Sequence, residues 1–147
     1  MAAVEIFVDS GAWLALALTG RTQIQREQHA GFVRAVEGLV RHGAGFVTTN
    51  LVIAETHQLM LIRDRRRTGL TFLRGFPAPG IAIVYSTPDL EARALREWLE
   101  RFDDQDFSLT DAVSFTVMRD RGIRQALALD RHFAVAGFEL LPPRGRR

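Results

Sequence analysis

The stretch "VEIFVDSGAWLALAL" (residues 4–18) decides how the rest of the chain is read. "VEIFV" (4–8) is a short β-branched and aromatic run that stops at Asp9, and "SGAWLALAL" (10–18) reads as a helix capped by Ser10. A strand that hands directly to a helix is the building unit of a parallel sheet, and this one leaves a carboxylate at the junction.

The alternation continues downstream. A helix from about Gln23 to His42 carries Ala30, Phe32, Val33, Val36, Leu39 and Val40 on one face at helical spacing. "GFVTT" (45–49) is a second strand, and Asn50 is the N-cap for the helix "LVIAETHQLMLIRDRR" (51–66). Thr68 caps a shorter helix through Leu73, "GFPAPG" (75–80) is a loop, and "IAIVY" (81–85) is a third strand. Thr87, followed by Pro88, opens a helix to about Phe102. "DDQDF" (103–107) is a polar linker to the helix "LTDAVSFTVMRDR" (109–121), with Gly122 as its C-cap. "QALAL" (125–129) is a strand ending at Asp130, followed by a helical turn over "HFAVA" (132–136) and a last strand, "FELL" (138–141). The expected architecture is a three-layer α/β/α sandwich around a mostly parallel sheet of about five strands. It occupies residues 1–141 as one domain, with residues 142–147 as a basic tail.

Composition narrows the chemistry. With 147 residues, 47% hydrophobic and 24% charged, the chain has the size and balance of a single globular domain. Cysteine is absent, which excludes disulfides, thiolate nucleophiles and cysteine-based metal sites and suits a reducing compartment. No secretory leader or membrane-spanning run is present in the sequence, so a cytoplasmic location is expected. All 19 basic residues are arginine, which removes P-loop and Schiff-base lysine chemistry. The pI of about 10.3 and the runs "RDRRR" (63–67) and "RGRR" (144–147) suit a polyanion. Arg63, Arg65, Arg66 and Arg67 are candidates for backbone-phosphate contacts, and equally a positive helix end complementing the dipole.

In an open parallel sheet, ligands bind outside the carboxyl ends of the strands. Asp9 ends the first strand, Glu55 lies early in the helix after the second, Asp111 lies in a helical first turn, and Asp130 ends a late strand. Four carboxylates in one cleft repel each other unless a cation neutralises them, and oxygen-only ligands select Mg²⁺ or Mn²⁺. Such a site polarises a phosphodiester for in-line attack. Each acid also has a local explanation: Asp9 as a turn residue, Glu55 as a surface acid, Asp130 as a turn residue ahead of the short helix. Asp111 stands three residues after Ser108, the capping-box pattern. Asp103, Asp104 and Asp106 read as a solvated linker, with Asp106 the candidate for an auxiliary acid and Ser108 for an auxiliary contact. The four histidines lack metal-ligand spacing among themselves and read as structural or surface groups, although His132 and Arg131 flank Asp130. Trp13 and Trp98 read as core or dimer-interface groups.

"FVDSGAWLALAL" (7–18), "NLVIAETHQLM" (50–60), "DQDFSLTDAVSFTVMRDRGI" (104–123) and "ALALDRHFAVAGFELL" (126–141) together resemble the PIN-domain ribonucleases of the VapC toxin type. The resemblance covers essentially the whole chain. It implies an acidic site at Asp9, Glu55, Asp111 and Asp130, with Asp9 and Asp111 as direct metal ligands. Glu55 and Asp130 would act through water or a second ion. Relatives often place a small hydroxyl residue two positions before the last aspartate, where this chain has Ala128. The resemblance further implies Mg²⁺- or Mn²⁺-dependent endonucleolytic cleavage of a structured RNA such as a tRNA or rRNA, a homodimer, and a cognate antitoxin.

Two other readings remain open on the residues alone. One is a non-catalytic nucleic-acid- or partner-binding α/β domain whose acids only cap helices. The other is an acidic-pocket phosphatase or receiver-like domain, which normally needs a lysine that this chain lacks.

Overall fold

The structure, a computed structural model, describes residues 3–63 and 65–143. Five strands are formed: β1 (Glu5–Val8), β2 (Gly45–Thr49), β3 (Ile81–Val84), β4 (Gln125–Leu127) and β5 (Glu139–Leu141). All pair in parallel, in the spatial order β3-β2-β1-β4-β5. Seven helices connect them among the described residues: α1 (Ser10–Ala17), α2 (Gln23–Arg41), α3 (Asn50–Ile62), α4 (Arg66–Arg74), α5 (Pro88–Ala94), α6 (Leu109–Arg121) and α7 (His132–Val135). α5 runs on into π-helical turns over Leu95–Glu100.

Side-chain alternation along β1 builds the two halves of the core. Ile6 and Val8 pack with Ala12, Phe32 and Leu127 beneath α1 and α2. Phe7 faces the other way, into a cluster containing Val47, Trp98, Phe115, Ala126 and Phe133 beneath α5 to α7. Trp98 is its hub, with ring centroids 4.9 Å from Phe115 and 5.5 Å from Phe102. Trp13 packs edge-on against Phe72 and Phe76 and so ties α1 to α4. Both tryptophans are therefore packing groups. Val40, placed on the buried face of α2 by the periodicity, is 56% exposed.

Several local boundaries differ from those expected. Thr49, not Asn50, caps α3 by accepting from Val52 N, and Asn50 Oδ1 instead accepts from Ser86 N at 2.7 Å, holding the end of β3. Thr68 lies inside α4, which begins at Arg66 after a corner where Arg65 N donates to Met60 O. Ser10 is the first residue of α1, and the cap position belongs to Asp9. β4 stops at Leu127, so Asp130 lies three residues beyond it. Of the basic tail, residues 144–147 lie outside the described residues.

Candidate active site

β1 and β4 are neighbours, but their following helices leave toward opposite faces of the sheet. Chain paths that diverge this way open a crevice at the strands' carboxyl ends. Asp9 sits at its base: its N–H donates to Leu127 O at 3.0 Å, extending the β1–β4 pairing by one rung. Glu55 enters from α3, Asp111 from the first turn of α6, and Asp130 from the β4–α7 connection. The charges of Asp111, Glu55 and Asp130 all act on Asp9, whereas among the described residues only Asp111 and Asp130, with His132, bring ligand atoms within 4.8 Å of one another.

Asp9 is 3% exposed and its Oδ1 has no hydrogen-bond partner. It occupies a cap position without capping. Burial, foremost, and then the three neighbouring carboxylates push its pKa up from 3.8 to about 7, against a lowering hydrogen bond at the Ser10 backbone. Burial likewise raises Glu55, as do Asp111 and Asp130, while the Ser10 side chain hydrogen-bonds the carboxylate and holds it partly down. Burial raises Asp111 too, opposed by its hydrogen bonds to the Ser108 backbone and His132.

Asp111 does close a capping box: Ser108 Oγ accepts from Asp111 N at 3.0 Å, and Ser108 N donates to Asp111 Oδ2 at 3.1 Å. These bonds fix the first turn of α6 and with it the carboxylate. Ser108 thus supports the cluster by holding Asp111. Asp106 is exposed, and no hydrogen bond or ion pair links it to the four acids.

His132 is part of the site, contrary to the reading of every histidine as structural or surface. Its Nδ1 lies 3.3 Å from Asp111 Oδ2 and 3.2 Å from Asp130 Oδ2. Its backbone N–H donates to Asp130 Oδ1 at 2.9 Å, and its ring stands edge-on to Phe107. Asp111, Asp130 and His132 each bring one ligand atom within 4.8 Å of the others. This donor set, beside an unpartnered buried carboxylate oxygen on Asp9, fits a small cation that prefers oxygen ligands. The signal in the sequence was the Asp-x-His spacing of Asp130 and His132, which lets one aspartate accept from the histidine backbone and meet its ring.

A cleft of about 640 Å³ opens beside the cluster, bordered by Ser10 and Leu129, the neighbours of Asp9 and Asp130. Leu14, Leu18 and Leu59 give it an apolar floor, and Arg21, Arg63 and Arg65 line its wall. Arg66 and Arg67, equally eligible by sequence, do not border it.

No protein-family model matches the chain. Among curated proteins, it is 35% identical over 138 residues to the 23S rRNA-specific endonuclease VapC20 of Mycobacterium tuberculosis, covering 94% of this chain and 98% of that one. It is also 33% identical over 104 residues to a VapC ribonuclease of Archaeoglobus fulgidus, covering 70% and 63% respectively. Among solved structures, it superposes on the crystal structure of Mycobacterium tuberculosis VapC20, described as a sarcin–ricin-loop-cleaving toxin, with a TM-score of 0.77 and 32% identity across 90% of this chain and 95% of that one. VapBC2 of Rickettsia felis, bound to a DNA fragment from its promoter, matches at a TM-score of 0.66 and 11% identity, over 93% and 97%, a likeness of fold.

Proposed function

The chain belongs to the VapC family of toxin ribonucleases, and on that premise we propose that it is a metal-dependent endoribonuclease acting on a structured RNA. The observation that carries this reading is the orphaned Oδ1 of Asp9, buried among Glu55, Asp111 and Asp130 at the mouth of the sheet. A buried carboxylate oxygen left without a hydrogen bond destabilises a fold, and a cation supplies the missing partner.

Asp9 and Asp111 would hold Mg²⁺ or Mn²⁺ directly, with Glu55 and Asp130 contributing through water or toward a second ion. When bound, such an ion neutralises the cluster and polarises a scissile phosphodiester. The chain's own residues set the frame for it. The β1–β4 junction fixes Asp9, the capping box fixes Asp111, Ser10 steadies Glu55, and His132 spaces Asp111 from Asp130. Placing the carboxylates before substrate arrives lowers the cost of assembling the site. His132 Nδ1, 3.3 Å from Asp111 Oδ2 and 3.2 Å from Asp130 Oδ2, puts an imidazole between two like charges.

Ribosomal RNA is the first substrate to try, because VapC20 is named for cleaving 23S rRNA; tRNA is the second. A homodimer and a cognate antitoxin belong to the same proposal through family membership. The acidic-pocket phosphatase gains no support, since no lysine exists to assist at the metal.

The test is an end-labelled sarcin–ricin hairpin and total tRNA incubated with purified protein and Mn²⁺. The expected result is discrete cleavage that chelation, Asp9→Asn or Asp111→Asn abolishes while thermal melts show folded variants. Cleavage at the unsubstituted rate by both variants would overturn the site assignment.

A further inference from the structure

We propose that Arg21, Arg63 and Arg65 form a phosphate-gripping wall that holds unpaired RNA in the cleft beside the acidic cluster. This deepens the nuclease reading above and rests on it. The three arginines arrive from different parts of the chain: Arg21 from the α1–α2 loop, Arg63 from the end of α3, and Arg65 from the start of α4. Their convergence on one wall is a product of the fold.

Both loops are tied down by their backbones. Arg21 N donates to Gln25 Oε1 at 2.8 Å, and Arg21 O accepts from Arg26 Nη1 at 3.0 Å. Gln25 also completes the capping box of α2 with Thr22. Gly20, at φ +87°, leaves no room for a side chain, since a Cβ there would lie 2.3 Å from Gln25 Cβ. At the other corner, Arg63 N donates to Leu59 O and Arg65 N to Met60 O at 2.8 Å. Among the described residues, no carboxylate forms an ion pair with any of the three guanidinium groups. With their backbones tied down and their guanidinium groups outside any ion pair among the described residues, the three arginines suit a polyanion.

Continuity with the acids makes the ligand part of the substrate. Ser10 and Leu129 line the cleft, and in the chain they adjoin Asp9 and Asp130 directly. A strand whose scissile phosphate lies at the acids thus runs its neighbouring phosphates along the arginines. The volume of about 640 Å³ is in the range of ligand pockets, roughly 300–1,000 Å³. Its leucine floor suits an unstacked base, which duplex RNA does not offer.

The experiment reads binding of fluorescent oligouridylate by anisotropy across a salt series, with Asp111→Asn throughout to stop cleavage. Replacing all three arginines by alanine is expected to reduce the slope of log affinity against log salt by about two, each phosphate contact on single strands giving roughly 0.7. Should that protein fold poorly, the single variants each read about 0.7. Lysine at the same positions is expected to keep most of the slope, because counterion release needs only charge. Arg96→Ala, on the π-helical turns, is expected to leave it unchanged. An unchanged slope and affinity in the alanine variants overturns the inference. So does a variant that binds RNA normally but loses an acidic peptide, which would make the cleft a protein-docking surface. If the unsubstituted chain cuts no RNA while binding and its arginine dependence persist, the nuclease reading fails and the cleft assignment stands.

Discussion

Asp9 and Asp111 both stand at the start of a helix, α1 and α6, yet their carboxylates have opposite local duties. Asp111 accepts from the Ser108 backbone and closes a capping box, whereas Asp9 leaves Oδ1 buried with no partner. Asp111 contributes to the stability of its helix whatever else it does. Asp9 subtracts from the stability of the metal-free fold, because burial and three like charges oppose its ionised form. Residue type and helix position thus leave the role undecided; the surroundings of the second oxygen decide it.

The largest expected effect makes the two aspartates alike. Asp9→Asn and Asp111→Asn should each lower RNA cleavage by more than about a hundredfold, on the scale for removing one electrostatic element of an active site. Gel-resolved initial rates check this, and wild-type rates in either variant would dissolve the pairing. The next effect concerns the metal. At one hundred times its dissociation constant, Mn²⁺ should stabilise the native chain by about 2.7 kcal/mol, seen as a rise in Tm, and Asp9→Asn should remove most of that gain. An unchanged Tm at saturating metal would mean that the cluster binds no cation.

Acidity separates the pair. The folded value of about 7 for Asp9 lies above its ordinary 3.8, so between the two the folded chain keeps a proton that the unfolded chain has released. The stabilisation from this protonated form is complete below about 3.8 and lost as pH rises through about 7. Chelator-treated protein should therefore melt at falling temperature across that window, with Glu55 and Asp111 adding slope in the same direction. Asp9→Asn should flatten the profile, measured by thermal scans in matched buffers; a slope as steep as the native one would assign the effect elsewhere. The smallest effect belongs to the cap: Ser108→Ala should cost about 1 kcal/mol of stability while retaining cleavage. A collapse of activity in that variant, with the fold intact, would show Ser108 acting beyond its cap.

The strand–helix junctions were legible because they depend on neighbours in sequence, a β-branched run, a stop, an apolar helix, and the four acids were singled out from their places at those junctions. What escaped depends on neighbours in space. Thr49 and Asn50 are both good caps, and the Asn50 bond to Ser86 N, 36 residues away, settles which of them serves α3. His132 has no metal-ligand spacing to another histidine; it joins the site because α7 brings its ring between Asp111 and Asp130. Arg21 stands alone in a short loop, whereas among the described residues the conspicuous run around Arg65 contributes Arg63 and Arg65, not Arg66 or Arg67, to the cleft. Thr68 looked like a helix start because Arg65, the cap residue of α4, makes no side-chain cap bond and is instead tied by its backbone N–H to Met60 O.

The central position of β1 and β4 has a further consequence. Edge strands β3 and β5 can fray without touching the rung between Asp9 and Leu127, so the spacing of the acids is insulated from local opening. The Asp9 amide should accordingly exchange with solvent only through global unfolding, which makes the frame of the acidic cluster and the cooperative folding unit one and the same.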